Sequence, residues 1–294
     1  MTPYITRIAP SPTGFFHLGT ARTAYFNWLA ARATGGKFLL RIDDTDGARN
    51  SDAFVDVIYQ AMDYLGLDYD LTFKQSDRKD RYLQAAHDLV ARGRAVHRDG
   101  AIFLNCPLTD AAVATGFRDK AVGLVATCAA DHDAVANMVL VKSDGMATYH
   151  FANVVDDIDH GVNFIIRGTD HIPNTMRQVA LYLAMDVLPP DYAHVGLLHD
   201  HTTGKKLSKS TGAKSLLDYQ ADGIDPDAMC NFLLRMGWGP KVDDKTTAVL
   251  PRDRALQLFL TAGNLRGSSS KADFAKLANL DRRYKAAKVA AVAA

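Results

Sequence analysis

The strongest constraint on the fold comes from the first 43 residues, which combine a strand, a loop, a helix and a second strand in one short stretch. Residues 4–9 are apolar and end in the loop sequence PSPTG, as expected of a buried strand that meets a sharp turn. Apolar side chains at spacings of three and four predict a helix over residues 18–33, and residues 37–43 read as the next strand. This order predicts a βαβ unit with a parallel sheet, whose ligands bind beyond the carboxyl ends of the strands.

The rest of the chain repeats this α/β pattern around a different middle segment. In order, we predict helices at 51–65 and 77–92, strands at 101–105, 137–141 and 163–167, a helix at 171–186, a strand at 192–198 and a polar loop at 200–212. The short strand-like signals from 95 to 141 interrupt the pattern and are interpreted as an insertion. Beyond residue 216 we predict helices only, with a frayed tail after Tyr284.

Composition excludes several classes of protein. With 48% hydrophobic residues, the 294-residue chain can bury a sizeable core, so extensive disorder is excluded. Its 34 Lys and Arg nearly balance its 33 acidic residues, all of which are Asp, and the net charge of +1 gives no global sign of binding to nucleic acid or to a membrane surface. Any such binding must be local.

The cysteines and the apolar runs together predict a cytoplasmic protein. Cys106, Cys128 and Cys230 are too few and too scattered for a disulfide framework or a CxxC zinc site, so we expect buried or inert thiols. The N-terminus lacks the basic segment and apolar run of a secretory signal, and no stretch approaches the ~20 apolar residues of a membrane span. We therefore expect no membrane partner.

The sequence HLGT at residues 17–20 stands where the first predicted loop enters its helix. Free backbone N–H groups and the positive end of the helix dipole favour an anion at such a place. Gly19 would let a flat ligand lie against the backbone, and His17 could donate a hydrogen bond to a phosphate oxygen. The same tetrapeptide is also compatible with an ordinary helix N-terminus that carries a surface histidine.

The sequence KKLSKSTG at residues 205–212 places three lysines in a loop of small residues near the end of a predicted strand. Flexible cationic loops of this kind can close over a triphosphate and neutralise the charge on the leaving pyrophosphate. A solvated basic loop has the same composition. The motif alone does not distinguish a phosphate-binding loop from a solvated one.

Together the two motifs resemble the paired HIGH and KMSKS signatures of class I aminoacyl-tRNA synthetases, in the same order and at the same places in the fold. Six further segments resemble glutamyl-tRNA synthetases, namely RIAPSPTG (7–14), ARTAYFNW (21–28), LRIDDTD (40–46), KSDG (142–145), TYHFANVVDD (148–157) and IRGTD (166–170). The resemblance runs from Arg7 to about Tyr284 and is poor between residues 98 and 136.

The resemblance implies an α/β fold with the Rossmann-like parallel sheet of class I synthetases, a short inserted α+β region and a C-terminal helical stem-contact region. The predicted segments are 1–97 and 142–212 for the two halves of the catalytic domain, 98–141 for a shortened acceptor-binding-type insertion, and 213–294 for the stem-contact-like region. Full-length relatives continue into an anticodon-binding domain, so we expect no anticodon reading by this chain. The cysteine cluster of zinc-binding relatives is missing, so we expect no zinc.

The resemblance also implies how glutamate is bound. Family residues that match Arg7 and Arg167 clamp the side-chain carboxylate, helped by a tyrosine that matches Tyr149, and two guanidiniums favour glutamate over neutral glutamine. Ser11 and Asn153 match residues at the backbone end of the amino acid. The alternatives are structural ion pairs for the arginines, capping for Ser11 and Asn153, and core packing for Tyr149.

For ATP, the resemblance implies a site that surrounds the phosphates. The matching positions are His17, Gly19, Thr20, Asp170, Lys206, Leu207, Ser208 and Lys209. The α-carboxylate of glutamate attacks the α-phosphorus, pyrophosphate leaves, and the acyl group passes to a hydroxyl, so we assign no protein nucleophile or general base. Catalysis is expected to rest on His17, Lys206 and Lys209, with Mg²⁺ carried by the nucleotide.

Position 43 departs from the family, which usually has a glutamate there in contact with the α-amino group of the substrate. In this chain it is Asp43, and one missing methylene withdraws the carboxylate by ~1.3 Å, which lengthens a charge-assisted hydrogen bond or leaves room for a water. Weaker or altered selection of the amino acid is the resulting hypothesis. Pyrophosphate exchange across the amino acids would test it.

Three functions remain compatible with the sequence. The first is activation of glutamate and transfer to a tRNA or a reduced acceptor. The second is a paralogue that passes the activated amino acid to a modified tRNA base, a nucleic-acid base, a carrier protein or a small molecule. The third is a non-catalytic binding module, which His17 and the lysine loop argue against. A monomer is expected from the family, and the basic residues after position 270 could contact RNA or simply form a solvated helical face.

Overall fold

Strands and helices alternate through most of the computed structural model, which describes residues 2–45, 52–106, 116–208, 212–240 and 249–292. The helices are α1 (Leu18–Ala33), α2 (Asp52–Leu65), α3 (Lys79–Ala91), α4 (Ala129–Ala136), α5 (Tyr149–Asp159), α6 (Ile172–Ala184), α7 (Leu216–Ala221), α8 (Pro226–Arg235), α9 (Arg252–Leu258) and α10 (Phe274–Val292). The strands are β1 (Ile5–Ile8), β2 (Lys37–Ile42), β3 (Leu71–Lys74), β4 (Ala95–Arg98), β5 (Ala101–Leu104), β6 (Phe117–Asp119), β7 (Gly123–Val125), β8 (Val139–Val141), β9 (Phe164–Gly168), β10 (Asp191–Val195), β11 (Leu198–Asp200) and β12 (Ser270–Ala272).

The main sheet is built in two parts. Strands β1, β2 and β3 are parallel, with β2 in the centre. In the second part β9, β10 and β6 are parallel, and β7 is added antiparallel at the edge. The predicted βαβ unit is therefore confirmed, with a helix over residues 18–33 between two parallel strands.

The fully buried side chain of Asn27 on α1 joins the two parts of the sheet. Its amide nitrogen donates to the carbonyl of Ile166 at 2.7 Å, and its oxygen accepts from the Ile166 N–H at 3.2 Å. The hydroxyl of Thr6 on β1 donates to the Asn27 carbonyl at 2.8 Å. Side-chain hydrogen bonds thus satisfy backbone groups between β1 and β9 that a regular ladder would otherwise pair.

Helix α1 is buried around most of its circumference because it lies between β1, β2 and β9 on one side and α8 and α9 on the other. Twelve of its 16 residues are buried. Ala21, Ala24 and Ala30 have no exposed surface, and such small side chains allow close approach of neighbouring backbones. Packing on both sides fixes the first turn of α1, and with it His17, relative to the strand ends.

The inserted region contributes to two sheets. Strands β4, β5 and β8 form a small antiparallel sheet that starts at Ala95, a few residues before the predicted boundary at 98. Strand β6 instead extends the main sheet, where Asp119 stands opposite Tyr192 of β10. The inserted region therefore also contributes a strand to the main sheet. Its assignment as a separate domain stays a prediction.

The prediction of helices alone after residue 216 is wrong at one place. Strand β12 pairs in parallel with β11, with Leu198 opposite Ser270 and Asp200 opposite Ala272. Three residues are too short to show an alternating pattern, and the partner strand lies some 70 residues earlier in the chain. Only the long-range pairing makes this segment a strand.

The prediction of a frayed tail after Tyr284 is also wrong, because α10 continues to Val292. The ammonium of Lys288 lies 2.7 Å from the carboxylate of Asp225, which caps the N-terminus of α8. Several basic side chains of this segment have acidic or amide partners, namely Lys276 with Asp273, Arg283 with Asn279, Lys285 with Asp281 and Lys288 with Asp225. These contacts favour a role in holding the helix over binding to an RNA backbone.

The cysteines are not grouped for metal binding. Cys106 and Cys230 are buried, and Cys128 is exposed at the N-cap of α4. Within the ranges given above, no three His, Cys, Asp or Glu side chains stand close enough together to hold a metal ion. In the same ranges, no helix combines the length and the apolar character required to cross a membrane.

Candidate active site

A cleft of about 700 Å³ opens at the carboxyl ends of β1, β2 and β9, where ligands of such sheets bind. The structure brings to this cleft every predicted site residue that it describes, namely Arg7, Ser11, His17, Gly19, Thr20, Asp43, Tyr149, Asn153, Arg167, Asp170, Lys206, Leu207 and Ser208. Lys209 lies outside the described residues. Residues from five separate segments of the chain therefore meet in one place, although the role of each stays a prediction.

His17 stands at the N-cap of α1, on the floor of the cleft. Its Nδ1 accepts a hydrogen bond from the Thr20 N–H at 3.2 Å, so a neutral ring carries its proton on Nε2. Desolvation, followed by the positive charges of Lys206 and Arg22, lowers the pKa of His17 despite the opposing effect of nearby Asp170. The ring is thus neutral at pH 7 and can donate a hydrogen bond. His17 also caps α1, as the alternative interpretation of the motif expects.

Gly19 leaves the space beside this ring free. A Cβ atom at this position would lie 3.0 Å from Nδ1 of His17, closer than nearly all real Cβ contacts. Any side chain at position 19 would therefore push on the ring or block the helix N-terminus.

Arg167 is a buried cation that lines the cleft. The residue is 7% exposed, and its guanidinium has no carboxylate within 4.0 Å among the described residues. Burial lowers its pKa, and the positive charge of Arg7 adds to this effect. Because a buried charge without a counterion is costly, the site is suited to an anionic ligand.

Arg7 is already paired. Its Nε lies 3.2 Å from Oδ1 of Asp157, and Arg41 Nη1 lies 2.8 Å from the same oxygen. All three side chains are buried. The structural ion pair considered as an alternative for Arg7 is therefore present, whereas it is not found for Arg167.

Asp43 lies at the edge of the same network. Its Oδ1 accepts from Arg41 Nε at 2.6 Å, and Arg41 also donates to the side-chain oxygen of Asn153. Burial raises the pKa of Asp43, although the charge of Arg41 acts against this. The carboxylate thus contacts Arg41 and also lines the cleft. Altered amino-acid selection remains a hypothesis.

Lys206 extends into the cleft from a hairpin that follows β11. Its backbone is held by a bridge to His199, and the next residue, Leu207, donates its N–H to Leu198 at 2.8 Å. The ammonium lies 3.3 Å from Asp170, and both side chains are about half exposed. The backbone of this lysine is therefore fixed while its charge stays accessible to a ligand.

Comparison with known proteins identifies the fold family. The model described as "tRNA synthetases class I (E and Q), catalytic domain" matches residues 4–100 and 108–267, where E and Q denote glutamate and glutamine. This match covers most of the chain and all the cleft residues named above. The chain belongs to this family.

Curated members of this synthetase family are similar over nearly the whole chain. Glutamate–tRNA ligase 2 of Neorickettsia sennetsu is 43% identical over 281 residues, and that of Rhodospirillum centenum is 41% identical over 320. Each comparison covers 95% of this chain and 66% of the relative. The chain thus spans just under two thirds of the length of these curated relatives.

Solved structures show the same architecture. The glutamate tRNA ligase of Elizabethkingia meningosepticum, crystallised in complex with its amino acid, matches with a TM-score of 0.81 at 24% identity over 96% of this chain and 69% of that one. A glutamate–tRNA synthetase from Elizabethkingia anophelis gives the same TM-score. The predicted α/β fold of class I synthetases is confirmed.

The sequence did not reveal two residues that the structure places in or behind the cleft, Arg22 and His194. Arg22 lines it, and the guanidinium donates to the carbonyls of Gly196 at 2.6 Å and Met236 at 2.8 Å. In the sequence, Arg22 lies within the segment 21–28 that resembles glutamyl-tRNA synthetases, without a predicted role of its own. His194 lies behind Arg167 without touching the cleft. No local pattern marks either residue, because their partners come from distant strands and loops.

Proposed function

We propose that this chain activates glutamate with ATP and transfers it to a tRNA or a tRNA-like acceptor. The observation that carries the proposal is Arg167, a buried residue that has no carboxylate partner in the described part of the chain and lines the same cleft as His17 and Lys206. The names of its relatives, glutamate–tRNA ligases, point to the same activity. A monomer in the cytoplasm stays the expectation.

At the amino-acid end of the cleft, the charge of Arg167 suits the side-chain carboxylate of glutamate. Glutamine would place a neutral amide against this cation and leave it unpaired in a buried site, which costs far more than a lost surface contact. Arg7 and Tyr149 line the same cleft and would assist Arg167, and Ser11 and Asn153, which also line it, would bind the backbone end of the amino acid.

At the nucleotide end, the N-terminus of α1, the Nε2 proton of His17 and the ammonium of Lys206 would contact phosphate oxygens. An oxygen of the α-carboxylate attacks the α-phosphorus and pyrophosphate leaves, which gives glutamyl adenylate. A hydroxyl of the acceptor then takes the acyl group and AMP leaves. Mg²⁺ commonly binds through substrate phosphates and water with few protein ligands, so we propose that it enters with ATP.

Pyrophosphate exchange across glutamate, glutamine and aspartate, with and without tRNA, tests the proposal. We expect exchange with glutamate and a kcat/KM at least ~100-fold lower with glutamine. Exchange that requires tRNA would support ordinary aminoacylation, whereas exchange without it would direct the search to other acceptors. No exchange with any of the three amino acids, with tRNA present, would contradict the proposal.

Substitution Lys206→Gln is expected to lower kcat for exchange by about 100-fold and to change the KM for glutamate less than twofold. The reason is that a positioned cation stabilises charge that develops on the leaving pyrophosphate, and loss of one such group costs about 10²-fold to 10³-fold in rate. Lys214→Gln is the matched control, since Lys214 is exposed and pairs with Asp222 at 2.7 Å. An equal loss in both variants, or a loss confined to KM, would disagree with this role.

A further inference from the structure

Arg167 is held in place by groups that leave its charge uncompensated. Its Nε donates to Nε2 of His194 at 3.0 Å, and its Nη2 donates to the hydroxyl of Thr175 at 2.7 Å. Neither acceptor has any exposed surface. Burial lowers the pKa of His194, so this ring is neutral at pH 7. Two uncharged acceptors therefore fix the orientation of the guanidinium.

The carboxylate of Asp119 lies on the opposite side of the His194 ring from Arg167. Oδ2 of Asp119 lies 2.7 Å from Nδ1 of His194, and the same carboxylate accepts the N–H groups of Ala121 at 2.8 Å and Val122 at 2.9 Å. Burial alone would raise the pKa of Asp119, but hydrogen bonds from His194 and these two amides hold it below its usual value. An ionised carboxylate can only accept, so the His194 proton sits on Nδ1 and Nε2 remains an acceptor for Arg167.

We propose that Asp119 and His194, together with Thr175, are positioning residues that orient Arg167 for the carboxylate of the substrate side chain. The proposal rests on the proposed function, because it assigns glutamate as the ligand of Arg167. A carboxylate placed directly on Arg167 would compete with the substrate for the same N–H groups. The His194 ring, which lies between Asp119 and Arg167, instead fixes the orientation of the guanidinium and leaves its charge available to the ligand.

This arrangement also gives the inserted region a part in amino-acid binding. Asp119 is the last residue of β6, which lies between the edge strand β7 and β10, the strand that carries His194. The backbone N–H of His194 also donates to the carboxylate of Asp119, at 3.0 Å. The Asp119 side chain therefore contacts both the ring and the backbone of His194 where β6 pairs with β10. Strand β6 of the inserted region thus supplies the residue that sets the tautomer of His194.

Substitution Asp119→Asn tests the direction of these hydrogen bonds. The amide oxygen would take the N–H groups of Ala121 and Val122, and the amide nitrogen would then donate to Nδ1 of His194. The imidazole proton would move to Nε2 and face the Nε–H of Arg167, which places two donors together. We expect the KM for glutamate to rise about 100-fold and the KM for ATP to change less than twofold. Asp144→Asn is the control, because Asp144 is exposed and accepts only the Met146 N–H at 2.9 Å.

A second pair of variants keeps the test independent of how well Asp119→Asn folds. Thr175→Val preserves the shape of a fully buried side chain and removes the acceptor for Arg167, whereas Thr175→Ser keeps the hydroxyl. We expect about a tenfold rise in the KM for glutamate with valine and less than a threefold change with serine. Equal behaviour of the two variants would overturn the proposal.

The tautomer of His194 is read directly from imidazole ¹⁵N shifts of the histidine-labelled chain. We expect the proton on Nδ1 in the natural protein and on Nε2 in Asp119→Asn. A proton on Nε2 in the natural protein, or an unchanged KM for glutamate in Asp119→Asn and Thr175→Val, would overturn the proposal. If the natural protein showed no glutamate-dependent exchange, the proposed function would be contradicted instead. The tautomer measurement would still show whether Asp119 and His194 orient Arg167 as proposed.

Discussion

Substitution Arg167→Gln is expected to lower kcat/KM for glutamate about 10³-fold without loss of stability. Removal of one partner of a buried charge pair costs about 2–5 kcal/mol, and 10³-fold corresponds to about 4 kcal/mol. The free energy of unfolding should stay the same or rise, because the natural protein buries a cation that has no carboxylate partner among the described residues and whose pKa burial lowers. Activity would thus fall without a loss of stability, as expected of a residue placed for a ligand.

The two readouts are pyrophosphate exchange and urea unfolding of the same preparations. Arg254→Gln is the matched control, because Arg254 is exposed and donates a hydrogen bond to the side chain of Gln257 at 2.9 Å. The control is expected to change neither quantity. A fall in the unfolding free energy of more than about 2 kcal/mol for Arg167→Gln would mean that Arg167 mainly supports the fold.

Substitution Asp157→Asn is expected to lower the free energy of unfolding by about 3–5 kcal/mol. The carboxylate is 3% exposed, and it lies 3.2 Å from Arg7 and 2.8 Å from Arg41, so its removal leaves two buried cations with less compensation. Asp68→Asn is the control, since Asp68 is 73% exposed and pairs with Arg32 at 2.8 Å. Exposed pairs of this kind contribute less than about 1 kcal/mol. Similar losses of unfolding free energy in the two variants, measured by urea unfolding, would contradict a larger contribution from the buried ion pairs.

The effect of Asp157→Asn should also depend on pH. Burial would raise the pKa of Asp157, but the charges of Arg7 and Arg41 outweigh burial and hold it below its usual value. A carboxyl with a lowered pKa in the folded state stabilises above its unfolded pKa of about 4, and this contribution is lost as the pH falls through the folded pKa. The difference between natural protein and variant should therefore be full at pH 7 and shrink below about pH 4. A constant difference from pH 7 to pH 3 would disprove the linkage.

Local patterns in the sequence were enough to predict the elements and motifs that depend on near neighbours. The helix over 18–33 was predicted because its apolar spacing, start and stop all lie within the segment itself. The HLGT and KLSKS motifs located the cleft because residues that follow parallel strands meet at one edge of a sheet. Their chemical roles rest on resemblance and on the experiments above.

What could not be predicted depends on contacts between distant segments. Strand β12 exists because β11 offers a partner, and neither segment has a pattern of its own. Asp119 lies where the resemblance to the family is poor, and only the pairing of β6 with β10 brings it to His194. The ion pair between Arg7 and Asp157 joins residues 150 positions apart. Sequence spacing carries no information about such pairs.

The pairing of β11 with β12 has a consequence for synthesis of the protein. The hairpin that carries Lys206 is held on one side by a strand that begins at Ser270, so its final geometry needs a segment that the ribosome adds more than 60 residues later. The nucleotide end of the cleft is therefore completed last. A nascent chain still short of this strand would already contain the amino-acid end of the cleft but would lack the support for Lys206, and under the proposed function it should form little glutamyl adenylate.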